Sequence, residues 1–300
     1  MNLDTLKTIT ILSASYRSGP HLNRLFNNLK IKADNDHCLQ FIVVDNTNGQ
    51  DIDLKDAFSK DLEIQFVMND GSRLQRSISH SSALDCGIQN CETEFTLIID
   101  PDVHVFKAGW DKFCINQMNK VDKLVIGAPY PEWKLGKVHD FPSVVFMFFR
   151  TRQVVKFDKS FYPFPRLSKR ILNSIFRKVT RLGILTSKSK LDKSKKLRKI
   201  TKWLEKITGI TSPDTGKQII EAFKRERFKA LNFKASYSSD IANNVKNAEI
   251  ELSKQFESYY LNDEIMMTHM YGSGVFHWRS ERGGDLDYWQ DLISEIDKGL

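Results

Sequence analysis

The chain has 300 residues, 41% hydrophobic and 27% charged, with a net charge of +8. That balance excludes a disordered chain and suits one large α/β domain, or a domain with an appendage. Four cysteines (Cys38, Cys86, Cys91 and Cys114) with no Cys-x-x-Cys pair give neither a disulfide framework nor a structural zinc site, and read as buried reduced thiols.

The first half alternates between two periodicities. Thr8–Ser15 reads as a strand, and His21–Lys30 as a helix with Leu22, Leu25, Phe26 and Leu29 on one face. Gln40–Asp45 and Glu63–Met68 are strands, Ser72–Gln89 a helix, Phe95–Ile99 a strand, Ala108–Met118 a helix and Leu124–Ala128 a strand. Ser143–Arg150 is a further strand. Strands alternating with helices predict an α/β fold with a mainly parallel sheet flanked by helices. Such sheets bind ligands beyond the carboxyl ends of their strands. The polar residues there are Ser13 and Ser15, then Asp45 and Asn46, then Asp100 and Asp102. One site drawing on all three is expected.

Asp100-Pro-Asp102 ends a wholly apolar strand. Two carboxylates at i and i+2 across a strand-to-turn junction suit a hard cation, Mn²⁺ or Mg²⁺. The plainer reading is an Asp-Pro turn capping its own amides. Order matters here: Ser-Ala-Ser-Tyr-Arg after the first strand, Val-Val-Asp-Asn ending the second, Ser-Ala-Leu-Asp-Cys-Gly-Ile on a helix, then Phe-Thr-Leu-Ile-Ile-Asp-Pro-Asp. As an ordered set this resembles the family 2 glycosyltransferases with the GT-A fold, over about residues 8–130 and more loosely over 210–280.

The resemblance implies a metal-dependent inverting transfer of a sugar from a nucleotide-diphospho-sugar, UDP-linked by preference, to a glycan or lipid-linked acceptor. It implies that Ser13, Ala14 and Ser15 line the nucleotide pocket and that Asp45 meets the base. By the same resemblance Asp100 would lie near the ribose and donor sugar, and Asp102 would ligate the metal. Arg76 and His80, on the helix before the Asp-x-Asp strand, are candidates for the donor or phosphates, as are Arg73 and, more weakly, Asp85. For the general base the residues leave two readings. Asp214 sits just before a helix containing Lys217–Phe223, where it serves equally well as an N-cap. Asp263 and Glu264, on a helical pattern with Tyr259, Tyr260, Ile265 and Met266, are the rivals. His277, in a glycine-flanked short strand over 272–280 with Trp278 and Arg279, is the implied extra metal ligand; His269 lies in a helical stretch. The Gln-x-x-Arg-Trp signature of processive synthases is absent from the sequence, so single addition is expected. A non-catalytic glycan- or membrane-binding module and a sugar nucleotidyltransferase are the alternatives.

Charge is uneven. Between Arg166 and Lys206 stand 15 Lys plus Arg against two acids, a net +13, leaving −5 for the rest. Arg166–Leu185 puts Leu167, Ile171, Ile175, Val179 and Leu182 on one face. Leu197, Ile200, Trp203, Leu204 and Ile207 repeat the pattern among lysines. This predicts two basic amphipathic helices over 166–208, for an anionic membrane surface or a homo-oligomer contact, and not for nucleic acid. The expected organisation is a nucleotide-sugar-binding core over 1–160, a basic helical insertion over 161–210 and an acceptor-side part over 211–300. With no run near ~18 apolar residues and no leader pattern, a cytoplasmic protein, peripheral on the inner face of a membrane, is expected.

Overall fold

The computed structural model describes residues 8–164, 167–182, 186–241, 247–270 and 280–299, with 167–170 as backbone. In chain order the elements are β1 (Ile9–Ser15), α1 (Gly19–Lys32), β2 (Leu39–Asp45), β3 (Ile64–Met68), α2 (Arg76–Ile88), β4 (Phe95–Ile99), β5 (Val103–Val105) and α3 (Trp110–Lys120). There follow β6 (Leu124–Gly127), β7 (Phe146–Arg150), α4 (Thr151–Lys156), α5 (Leu167–Thr180), α6 (Lys188–Lys193), α7 (Lys195–Thr208) and α8 (Lys217–Arg225). The last are β8 (Lys229–Asn232), β9 (Lys234–Ala235), α9 (Asn247–Gln255), β10 (Glu257–Leu261), β11 (Glu264–His269) and α10 (Leu286–Asp297).

Two compact units divide the chain. One comprises Met1–Ala128, Asp140–Pro163 and Asp214–Asn232; the other Pro129–His139, Phe164–Pro213 and Phe233–Leu300. Where the sequence suggests divisions at 160 and 210, the chain leaves the first unit at 163 and rejoins it at 214. It also departs over 129–139 and after 232.

The first unit holds a seven-stranded sheet in the order β3-β2-β1-β4-β7-β6-β8. Pairing is parallel except around β7, which runs antiparallel to β4 and β6. The expected α/β class with a mainly parallel sheet and flanking helices is the fold observed. Strand β4 is buried at every residue, so it reads as an unbroken apolar run instead of alternating. From β1 the chain steps outward through β2 to β3, then reverses to place β4 on the other side of β1. Right-handed crossovers therefore put α1 and α2 on opposite faces. Gly87 lets α2 approach closely: a methyl group there would overlap Leu12 and come within 2.8 Å of Val44 Cγ2.

In the second unit, β10 pairs antiparallel with β11 and with β9. This corrects the helical reading of Tyr259–Met266 and of His269. Asn262 and Asp263 both adopt positive φ, 49° and 65°, the conformation of a two-residue hairpin turn. Tyr259 and Tyr260 then pack as strand residues. Helices are found over 167–180 and 195–208 as the basic periodicity predicts, with the short α6 between them.

Candidate active site

The first unit places its polar residues by register. Ser15 pairs with Asp45 across β1 and β2, and Leu12 pairs with Ile98 across β1 and β4. Ser13–Ser15, Asp45–Asn46 and Asp100–Asp102 thus leave one carboxyl edge of the sheet. Strand order reverses between β1 and β4, so Ser13–Ser15 and Asp100–Asp102 straddle the switch point, where open α/β sheets form their crevice.

At that edge the serines serve the backbone. Ser13 is fully buried and its hydroxyl donates to the Ile99 carbonyl at 2.7 Å, tying β1 to the residue before Asp100. Ser15 Oγ lies 3.2 Å from Ser18 Oγ and accepts from the Ser18 amide at 3.3 Å. Ala14 is the half-buried residue between them.

Asp45 is only 2% exposed. Its Oδ1 accepts from the Thr47 amide (2.9 Å) and hydroxyl (2.6 Å), and its Oδ2 from the Gly49 amide (2.8 Å). Three of about four lone-pair positions on a carboxylate are then occupied. Asn46 is held as firmly, donating to Ser79 and accepting from Asn69 Nδ2 at 2.6 Å. Gly71 lies so close to the Asn46 amide that a side chain there would overlap it. The loop beyond β2 is a built cradle.

Asp100 and Asp102 are half-buried in the turn between β4 and β5. Each offers a carboxylate oxygen, the two within 4.8 Å of one another. Asp100 takes a backbone bond from its amide to Val145 O at 3.2 Å, and His80 Nε2 lies 3.7 Å from its Oδ1. Arg24, on α1, donates to the Val103 carbonyl at 2.7 Å. Burial pulls its pKa down to about 10, against the opposing pull of the Asp102 charge. Arg24 went unrecognised in the sequence, where it is one polar position on an otherwise well-patterned helix.

Asp214 is not the cap of α8, a position held by Gly216. Its Oδ1 accepts from the Thr215 amide (2.9 Å) and from the Ser77 hydroxyl on α2 (2.8 Å), and Thr215 Oγ1 donates back to Ser77 O at 3.1 Å. Ser77 and His80 stand at i and i+3, neighbours on one helix face. One face of α2 therefore carries Asp214 at its first turn and Asp100 a turn later. Arg76 and Arg73 are exposed, Arg73 before the helix begins. Asp85 accepts from the Ser160 hydroxyl and from the Phe161 amide at 2.8 Å, which fastens the 160–161 segment to α2. Burial raises its pKa, with these hydrogen bonds opposing. Asp263 and Glu264 are exposed at the β10–β11 turn of the second unit. His277, Trp278 and Arg279 lie outside the described residues.

His269 sits within the second unit's sheet, 2% exposed, its Nδ1–H donating to Glu257 Oε2 at 2.9 Å. Glu257 also accepts from the Tyr259 hydroxyl at 2.9 Å and pairs with Lys134 Nζ at 2.5 Å. Burial alone would raise the Glu257 pKa, but Lys134 and His269 hold it down at about 2. Lys188, also buried, donates to the Ser253 carbonyl at 2.6 Å and to Phe256 O, and burial brings its pKa down to about 8.

No protein-family model and no curated protein sequence matches the chain. Solved structures do resemble it. A mannosyltransferase, PcManGT from Pyrobaculum calidifontis in complex with GDP-Man and Mn²⁺, superposes with a TM-score of 0.40 at 14% identity, over 51% of this chain and 47% of that one. TarS 1–349 from S. aureus in complex with UDP-GlcNAc superposes at 0.37 and 17% identity, over 50% and 47%. Longer TarS gives 0.37 at 15% identity, over 50% of this chain and 30% of that one. The match thus spans about half, or less, of those chains.

Proposed function

We propose that the chain is a metal-dependent, inverting glycosyltransferase using a nucleotide-diphospho-sugar, UDP-linked by preference, with a glycan or lipid-linked acceptor. The observation that carries this reading is the pair of half-buried carboxylates, Asp100 and Asp102, standing at the switch point of the sheet. Charged groups with oxygens within 4.8 Å repel each other, and a hard divalent cation is the natural counter-charge for such a donor set. Asp102 and Asp100 would hold Mn²⁺ or Mg²⁺, which in place would neutralise a diphosphate and ease its departure.

The chain's own geometry supports the remaining roles in the same proposal. Asp45 and Asn46 shape the wall against which the base rests, Asp45 by holding the turn to Gly49. Ser13–Ser15 set the height of the loop that passes the nucleotide. His80 steadies Asp100, and Arg24 balances the charge of Asp102 from beneath. Asp214, held by Ser77, is the preferred general base that takes the proton of the attacking acceptor hydroxyl. Asp263 and Glu264, exposed on the β10–β11 turn, are the alternative bases.

Nucleoside diphosphates screened by thermal shift with and without Mn²⁺ test the reading. One diphosphate should stabilise the chain only when the metal is present, and donor turnover should fall by at least about 100-fold in Asp102→Asn. Turnover unchanged in Asp102→Asn would overturn the metal assignment. Failure of every common donor to release a nucleoside diphosphate would favour a non-catalytic module.

A further inference from the structure

In a helix pair on a water-soluble protein the apolar stripe turns to the core and the polar face to water. On helices α5 and α7 a large part of the apolar arc faces water instead. On α7 the inward positions are Leu197, Thr201, Leu204 and Thr208, with Leu197 against Trp133, Leu191 and Tyr237. Its outward positions are Ile200, Trp203 and Ile207, at i, i+3 and i+7, followed by Ile210. Trp203 is 61% exposed and Ile207 64%. On α5, Ile171, Ile175 and Val179 at i, i+4 and i+8 face out with Leu172 and Phe176, Ile171 being 60% exposed, while Thr180 is fully buried. A hydrogen bond of 2.7 Å between the Thr180 and Thr208 hydroxyls joins the two helices near their C-terminal ends. Threonine faces inward where isoleucine and tryptophan face water.

The same outward surface is basic. Lys196, Lys199 and Lys206 are exposed on α7 beside the isoleucines and Trp203, and Lys178 is exposed on α5. Among the described residues no helix is long and apolar enough to cross a membrane, and each of these has 14 residues.

We propose that the outward face of α5 and α7 docks in the plane of a bilayer containing anionic lipid. Large apolar side chains enter the acyl boundary, Trp203 sits at the headgroup level, and lysines reach back to lipid phosphates. Charge complementarity selects this occupant. A second copy would set one strongly basic face against another. Nucleic acid would leave the exposed aliphatic side chains Ile171, Ile175, Val179, Ile200 and Ile207 without an apolar partner, since only Trp203 and Phe176 offer a stacking surface. The proposal stands independently of the reading of the carboxylate site.

Flotation of the full chain with vesicles tests it. At about 0.1 M salt the protein should float with phosphatidylcholine vesicles containing ~30% phosphatidylglycerol and stay behind with phosphatidylcholine alone. Reversing three charges (Lys196→Glu, Lys199→Glu, Lys206→Glu), or raising salt to about 0.5 M, should lower the bound fraction at least tenfold. Trp203→Ser with Ile207→Ser should abolish flotation while leaving the circular dichroism and melting temperature unchanged, because both side chains are exposed. In wild type, vesicles should shift the fluorescence component that Trp203→Phe removes to shorter wavelength. Equal binding to neutral vesicles, or no binding to anionic ones, would overturn the proposal. So would a stable dimer that Trp203→Ser converts to monomer.

Discussion

Two carboxylate clusters in this molecule have opposite fates. In the second unit, Glu257 is buried with Lys134, His269 and Tyr259, and each of its oxygens meets a partner at 2.5–2.9 Å. At the switch point of the first unit, Asp100 and Asp102 stay half-buried, with the His80 ring no nearer than 3.7 Å to Asp100 Oδ1. A buried acid costs so much solvation that the fold must answer it completely. An acid at a crevice edge keeps part of its hydration, so the fold need answer it less completely. The contacts at Glu257 belong to a buried cluster, whereas Asp100 and Asp102 lie half-buried at the carboxyl edge of the sheet.

The sharpest way to break this contrast is to neutralise each cluster. Glu257→Gln strands a buried lysine and should cost about 3–5 kcal/mol of stability in chemical denaturation. The same group predicts an acid limb. Its folded pKa lies below its unfolded one, so the stabilisation is present above pH 4.5 and is lost as pH falls toward about 2. Wild type should therefore lose stability across that window, and Glu257→Gln should show a flatter limb. At the switch point, Asp102→Asn should do the converse, lowering turnover about 100-fold, close to 2.7 kcal/mol, with a melting temperature within error of wild type. Matching stability losses in the two variants would erase the distinction. Asp85→Ala, which releases Ser160 and Phe161, should cost about 1–3 kcal/mol, placing that acid with Glu257 and not with Asp102. The smallest effect is expected for Ser77→Ala, about 1 kcal/mol in stability; a disproportionate fall in turnover with pH dependence altered would assign Ser77 to positioning Asp214.

The parallel sheet was legible because each strand carries its own signal: the apolar run of Phe95–Ile99 admits a buried strand, and Leu22, Leu25, Phe26 and Leu29 admit a helix. Asp100 and Asp102 were legible for the same local reason, a polar break after such a run. Tyr259–Met266 misled because Tyr, Ile and Met at mixed spacing satisfy a helical face as well as a strand. Only the paired positive φ of Asn262 and Asp263 decides for the hairpin, and neither is a glycine that would announce it. Long-range pairings were out of reach. Ser77 with Asp214 spans 137 residues and Lys188 with Phe256 spans 68, and no spacing rule connects them. The basic helices were located by their periodicity, yet the apolar arc spans more than one side of each cylinder, so the sequence alone does not say which part turns outward.

Gly87 gives helix α2 a consequence in mechanics. Seven residues, about 10 Å of helix, separate it from His80, and a further turn from Ser77. Its far end is seated closely on the Leu12 and Val44 side chains, with a glycine hydrogen at the contact. An added methyl at position 87 would press on Leu12 and Val44 and, if α2 gave way, would shift Ser77 and His80 and with them their contacts to Asp214 and Asp100. The packing at one end of α2 thus bears on the contacts made at the other.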